Sequence, residues 1–368
     1  MTQLLVGAGR AEVGSSRVER EGALGDAEDE TFRAKVASAA GEGGERVRPK
    51  LAGERADSRE PAAREKPQLE LAAILGSAAQ PRPARPFARR QGTARAPLLK
   101  WPGSKLPIVS RLVSLAPPRF ARYHEPFVGG GALFFALRPN MGFLGDVNAE
   151  LVNLYCVVRD EPQALVAALD RHVNTREHYY HVRAQAPETL PPVERAARTF
   201  FLNRTCFNGL YRVNGRGVFN VPYGDQAQNA FLQPHLILGA HRALQGMEVR
   251  CEDFEACEAR VRPGDFIYLD PPYAASLNGG PAFKYQPDGF GEAEQHRVAH
   301  LFRRLHERGG LILASNADCA LTRSLYRGYL VEPLAVTRFI GGREERRGLA
   351  KEIVVRNYRA AGGLFAQG

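Results

Sequence analysis

The chain has no apolar run approaching the ~20 residues that a membrane-spanning helix needs, which excludes that reading. Its start lacks a basic flank followed by an apolar core, so no secretory signal is expected. Cysteine is scarce. The five present (Cys156, Cys206, Cys251, Cys257 and Cys319) are odd in number, scattered, and form no Cys-x-x-Cys pair. That argues for a reducing, cytoplasmic setting and against a disulfide frame or structural zinc, and no metal site is expected. The phosphate loop that ends in Gly-Lys-Ser/Thr is also missing. Aromatic residues are nearly absent up to Arg95, where Phe32 and Phe87 stand among Ala, Gly, Arg and Glu. Such composition cannot bury enough apolar surface to offset ordering entropy, so residues 1–95 are read as a disordered extension. Its end, "PRPARPFARRQGTARAP", admits two readings: a basic arm tracking phosphates through Arg82, Arg85, Arg89, Arg90 and Arg95, or a dispensable tail.

What is present begins with length and charge. The 368 residues suffice for about two domains, and 44% hydrophobic content supplies a core. The net charge of +10 points to a polyanionic partner, although a solvated basic face would give the same number. Order is expected from Leu98. "RYHEPFVGGGALFFALR" reads as strand, glycine turn and helix, and "GFLGDVN" as a strand ending at Asp146. "AELVNLYCVVRD", "EPQALVAALDRHV" and "VERAARTFFLNRTCF" have helical spacing. "NGLYRVNGRGVFNVPYGD" carries turn signals at Asn208-Gly209 and Asn214-Gly215 between β-prone runs. A helix around "FLQPHLILGAHRAL" leads to strands at "MEVRCEDF" and "DFIYLD". Val298, Leu301, Phe302 and Leu305 then share one helix face that Gly309 ends, and "LILASNAD" and "AKEIVVRNY" are the last strands. Strands alternating with helices predict a doubly wound, mostly parallel α/β sheet. Residues 96–151 and 245–360 would form its discontinuous catalytic domain, with 152–244 inserted as a helical and hairpin recognition domain.

Two strand ends carry the chemistry. In "EPFVGGGALFF" the glycines let a ligand approach the backbone, and the helix start offers N–H groups. Pro126, Phe127, Gly129 and Gly131 are its candidate contacts. Asp146, about 15 residues on, stands where an acid accepts from ribose hydroxyls in nucleotide-binding α/β folds. With no phosphate loop, a nucleoside cofactor without phosphates fits, and S-adenosylmethionine is the expected one. In the preceding "KWPGSK", Trp101 and Lys105 either anchor the first helix or cover the cofactor and reach its carboxylate.

The second end is "FIYLDPPYAAS". The buried run Phe266–Leu269 delivers Asp270 to the C-terminal edge of the sheet, where ligands bind. An exocyclic amine of adenine or cytosine is a poor nucleophile, because its lone pair is delocalised into the ring. The Asp270 carboxylate and Pro271 carbonyl would accept its two N–H groups and localise that pair. Pro271 and Pro272 fix φ and offer acceptors only, and Tyr273 would stack on the base. The alternative is a Pro-Pro turn capping a strand, with Asp270 solvated.

The stretches "LKWPGSK", "EPFVGGGALFF", "GDVNAELVNLY", "FLNRTCFNGLYRVNGRGVFNVPYG", "CEDF", "YLDPPY", "SNAD" and "TRFIGGREERRGLAKEIVVRNY" stand in the order of the Dam family of adenine-N6 DNA methyltransferases, its alpha group. The chain from about Leu98 to Tyr358 resembles that family. The resemblance implies cofactor contacts at Trp101, Lys105, Asp146 and Asp270, with Asp253 and Phe254 around the cofactor adenine. It implies duplex DNA as partner, with the target base flipped into the pocket. Between Asn208 and Tyr223 lies its recognition hairpin: Arg212 is the candidate reader of guanine, with Asn208, Leu210, Asn214 and Arg216 beside it. Lys100 would reach a base or phosphate. For each of these residues a phosphate contact or a turn role is the competing reading. GATC is the implied target, although "DQAQNAF" departs from the family's more basic and aromatic pattern there. "LNGGPAFKY" reads as a flap carrying Phe283 and Tyr285. A monomer, and a cognate restriction endonuclease acting on the same site, complete the expectation. Three other readings stand beside it: an RNA base-amine methyltransferase, a cytosine-N4 DNA methyltransferase, and a non-catalytic DNA-binding homologue.

Overall fold

The computed structural model describes residues 98–224, 231–273, 290–337 and 349–359. The extension and its arginine arm, most of "DQAQNAF", and the flap with Phe283 and Tyr285 lie outside them. Helix α1 (Val109–Leu115) precedes strand β1 (Tyr123–Glu125), α2 (Ala132–Leu137) and β2 (Gly142–Asp146). Helices α3 (Ala149–Asp160), α4 (Pro162–Asp170), α5 (Arg176–Ala184), α6 (Pro192–Thr205) and α7 (Pro234–Leu244) separate β2 from β3 (Met247–Cys251). Then come β4 (Phe266–Leu269), α8 (Glu292–Glu307), β5 (Leu311–Ala317), α9 (Ala320–Leu325), β6 (Leu330–Thr337) and β7 (Leu349–Arg356).

The seven strands lie in the order β3-β2-β1-β4-β5-β7-β6. β1 pairs in parallel with both β2 and β4, and β4 with β5. β7 is antiparallel to its neighbours β5 and β6. The sheet is therefore doubly wound and mostly parallel, as expected. All four residues of β4 are buried, the continuous apolar pattern of a central strand covered on both faces. The face of α8 read from the sequence is the one that packs: Val298, Leu301, Phe302 and Leu305 are fully buried. Gly309 follows in the left-handed region at φ +78°.

Strand β6 and helices α1, α5 and α9 escaped the pattern reading. Pro333 argues against a strand by sequence, since proline cannot donate to a ladder. It is tolerated because β6 lies at the edge of the sheet, paired with β7. The helical block between β2 and β3 shares its apolar core with the sheet. Leu144 of β2, Leu154 of α3, Phe200 of α6 and Tyr223 of the hairpin belong to one buried cluster.

At the N-terminal end of β4, Asp265 is fully buried and held by four donors. The Arg122 guanidinium gives two bonds of 3.2 and 2.6 Å, His124 Nε2 stands at 3.0 Å, and the Arg262 N–H at 2.9 Å. Nothing in the sequence pattern singled this acid out.

Candidate active site

The C-terminal ends of the central strands converge on a group of acids. β1 ends at Glu125, β2 at Asp146, β4 runs into Asp270, and β7 contributes Glu352. Lys105 Nζ lies 2.9 Å from Asp270 Oδ1 and donates to the Gly103 carbonyl at 3.0 Å. Its ammonium also stands 5.0 Å from the centre of the Tyr273 ring, within cation–π range. Lys105 thus meets the strand-end carboxylate and stands against the aromatic beside it.

Tyr273 is held at both ends. Its hydroxyl donates to Glu352 Oε2 at 2.9 Å, and Glu352 is 2% exposed. Burial pushes the Tyr273 phenol well above its ordinary pKa, so it stays protonated and donates. Glu125, also buried, accepts from the Tyr123 hydroxyl at 2.9 Å. Desolvation raises its carboxyl well above the usual range. Neither Glu125 nor Glu352 stands out by motif; the signal in the sequence is an acid in a run otherwise fit for burial.

The glycine turn is built differently from the expectation of open N–H groups. Gly129 N–H donates to Asp146 Oδ2 at 3.0 Å, and Gly131 N–H to the Val128 carbonyl at 2.7 Å. Asp146 Oδ1 accepts the Asn148 N–H at 2.9 Å, so this carboxylate ties the turn to the end of β2. Burial raises Asp146 to about 6, and these N–H bonds hold it below what burial alone would give. Gly131 sits at φ +64°, where side chains are rarely accommodated. A Cβ on Gly129 would stand 2.9 Å from Trp101 Cδ1, so the indole lies directly over the turn. Trp101 is itself stacked on Tyr211 of the hairpin, ring centres 4.8 Å apart and planes at 28°. One ring thus joins the glycine turn to the hairpin.

On the other side, Phe127 stacks on Phe254 at 4.9 Å. The Arg297 guanidinium lies 4.6 Å from the Phe254 ring and donates to Asp253 Oδ1 at 2.9 Å. Pro126 backs onto Gly145, whose added Cβ would meet the Pro126 Cα at 3.3 Å. Trp101, Pro126, Phe127, Gly129, Gly131 and Asp146 are thereby brought together, with Asp253 and Phe254 beside Phe127.

The segment Cys206–Tyr223 is a hairpin, bridged at Cys206–Tyr223 and Val213–Phe219. Its tip is the turn Asn214–Gly217, whose Asn214 Oδ1 accepts the N–H groups of Arg216 and Val218 at 3.0 and 3.1 Å. Asn214 therefore caps the turn. The other turn signal lies at the start of the hairpin: Asn208 and Gly209 both have positive φ, 54° and 63°. The Lys100 stem packs over Gly209, which places that lysine on the hairpin. Leu210 is half-buried. Arg212 is exposed and reaches across to Asn220, with Nε on its Oδ1 at 2.8 Å and Nη2 on its carbonyl at 3.3 Å. A guanidinium has five N–H donors, so this bracing leaves others directed outward. Phe207 carries no signal in the sequence pattern. It is 49% exposed at the start of the hairpin, a large ring kept in solvent beside Asn208.

Residues 101–338 match the model of the D12 class N6 adenine-specific DNA methyltransferases. The type II methyltransferase M1.LlaDCHI of Lactococcus lactis subsp. cremoris is 34% identical over 71% of this chain and 95% of its own length. The type II methyltransferase M.MjaIII of Methanocaldococcus jannaschii is 32% identical over 71% of this chain and 99% of its own. A DNA adenine methylase of Haemophilus influenzae is 32% identical over 70% and 92%. The chain belongs to the D12 class of N6 adenine-specific DNA methyltransferases.

Proposed function

We propose that the site transfers a methyl group from S-adenosylmethionine to the N6 amine of an adenine flipped out of duplex DNA, with Asp270 as the residue that activates the amine. The observation that carries this reading is the delivery of Asp270, Pro271, Pro272 and Tyr273 to the sheet edge where Lys105, Glu352 and the glycine turn converge. The charge at the site fits the cofactor. The carboxyls of Asp146, Asp270 and Glu352 outnumber the Lys105 ammonium at the sheet edge, which suits a cationic sulfonium better than its neutral product. When bound, S-adenosylmethionine supplies the electrophilic methyl group. The chain's own work is positional. Asp270 and the Pro271 carbonyl accept the amine N–H groups, Tyr273 holds the base plane, and Lys105 orients the carboxylate.

Expression in a host lacking adenine methylation, followed by sequencing for modified bases, tests the reading, with GATC as the first site to score. Methyladenine at one sequence context is expected. Unmodified DNA, with purified protein labelling structured RNA instead, overturns it.

Cofactor affinity should depend on pH through Asp146. Its carboxyl titrates near 6 against an ordinary value of about 4, so it is ionised and accepts ribose hydroxyls above pH 6. As pH falls through 6 it protonates and loses an acceptor. Affinity should then weaken by up to about tenfold per unit. Titration calorimetry from pH 8 to 5 should show the slope in the wild type and a flat profile in Asp146→Asn. A flat wild-type profile rules the role out.

In the hairpin, Arg212→Ala should lower discrimination at one base pair by about 1–3 kcal/mol. Phe207→Ala should instead slow methylation of duplex far more than of mismatched substrate, because an exposed ring can fill the gap a flipped base leaves. Equal rates on both duplexes would remove Phe207 from that role.

A further inference from the structure

The buried face of α8 contains one residue that does not belong to an apolar stripe. Gln295 stands three residues before Val298 and seven before Phe302, on the packed face, and is fully buried. Its Nε2 donates to the Pro272 carbonyl at 2.9 Å. Its Oε1 accepts from Asn316 Nδ2 at 2.8 Å, and Asn316 Oδ1 accepts the Ala317 N–H at 2.8 Å. Asn316, in β5, is fully buried as well. The two amides form a relay with a fixed direction. The Ala317 N–H forces the Asn316 oxygen towards it, which turns the Asn316 NH₂ to Gln295. Gln295 is thereby left with its own NH₂ aimed at Pro272. Burying two amides costs free energy unless every donor and acceptor is matched, and one apolar pair would fill the space more simply.

The target of the relay explains why it is kept. Ring closure fixes φ at Pro271 and Pro272, so the path from Asp270 to Tyr273 has its freedom mainly in the two ψ angles. A donor clamped on the Pro272 carbonyl sets the second of these. The Tyr273–Glu352 hydrogen bond at 2.9 Å holds the far end. We propose that Gln295, oriented by Asn316, is a positioning residue that sets the Pro272 peptide plane and through it the Pro271 carbonyl and the Tyr273 ring for methyl transfer. This rests on the proposed role of the Asp270–Tyr273 segment.

The relay makes an unusual prediction about acid. A glutamate in place of Gln295 presents two acceptors when ionised, one against the Pro272 carbonyl. When protonated it presents one donor and one acceptor, the same pattern as the native amide. Gln295→Glu should therefore lower kcat about 10²-fold at pH 8 and regain most of it, relative to wild type at each pH, as pH falls to 5.5. Gln295→Met, with neither group, should be low at both. The affinity for S-adenosylmethionine should change less than twofold in either. The nearby charged groups Asp270, Lys105 and Glu352 are the same in all three proteins, so the ratio to wild type removes their contribution. Single-turnover methylation of unmethylated duplex, alongside thermal unfolding to show that each variant is folded, gives the answer. A folded Gln295→Met with wild-type kcat, or a Gln295→Glu with no recovery in acid, overturns the proposal. An inactive wild type would instead overturn the reading of the site on which it rests.

Discussion

Asp270→Ala is expected to lower the single-turnover rate of methyl transfer about 10³-fold while cofactor affinity falls only a few-fold. The size follows from the loss of a preorganised acceptor aimed at charge developing on the amine nitrogen, typically about 10²–10³-fold, to which the change at Lys105 adds. With no carboxylate at 2.9 Å, the Lys105 ammonium has lost one of its recorded partners, while the Gly103 carbonyl at 3.0 Å keeps it near the base-binding face. A cation there opposes the positive charge that grows on the attacking nitrogen. Asp270→Asn keeps one acceptor and should retain more activity than alanine. The assay is transfer of labelled methyl to adenine-unmethylated DNA, with cofactor binding followed separately. Activity within tenfold of wild type in Asp270→Ala would refute the assigned role, and an equal collapse in cofactor affinity would reassign Asp270 to binding.

The second large effect lies at the opposite end of the same strand and concerns stability. Asp265→Ala should lower the free energy of unfolding by about 3–5 kcal/mol, because it leaves the half-buried Arg122 and the buried His124 without their shared carboxylate. Burial alone would raise the Asp265 pKa. The hydrogen bonds from His124 and Arg122 outweigh it and hold the carboxyl down at about 2. The ordinary value is near 4, so the ionised form is the one the fold favours, and its stabilisation is complete above about pH 4. It is lost as pH falls from 4 towards 2. His124 contributes no charge at neutral pH, because burial lowers its pKa and outweighs the carboxylate beside it. Urea unfolding at pH 7 should show the full loss in Asp265→Ala. Between pH 4 and 2 the mutant curve should be flatter than that of the wild type. A loss under about 1 kcal/mol would mean that the cluster relaxes without its acid.

These two acids show how far the sequence could be read. Asp270 was legible because its context is local: an apolar run ends in Asp-Pro-Pro-Tyr, and each residue type has one evident use there. Asp265 was not, because Pro-Gly-Asp before a strand reads as an ordinary turn. Its meaning depends on Arg122 and His124, more than 100 positions earlier. The same holds for Lys105. Spacing placed it near the glycine turn, but only the packing of β1 against β4 sets its ammonium against Asp270. Gln295 was visible in principle, as a polar residue on an apolar helix face, yet its purpose needed the Pro272 carbonyl, 23 positions earlier.

The sequence by itself determined the alternation of strands and helices, the glycine turn before α2, the strand-end carboxylates of Asp146 and Asp270, and the turn chemistry of the hairpin. Each of these follows from side-chain period, backbone restriction or charge within a few neighbouring residues. The tertiary structure decided the rest. It inserted β7 antiparallel between β5 and β6, which brings Glu352 to the hydroxyl of Tyr273 from 79 residues away. It also stacked Trp101 between the glycine turn and Tyr211, and closed the amide relay from Asn316 through Gln295 to Pro272. Such contacts join residues whose local sequences carry no information about one another. The order of strands in the sheet selects them, because it decides which strand ends share the catalytic edge.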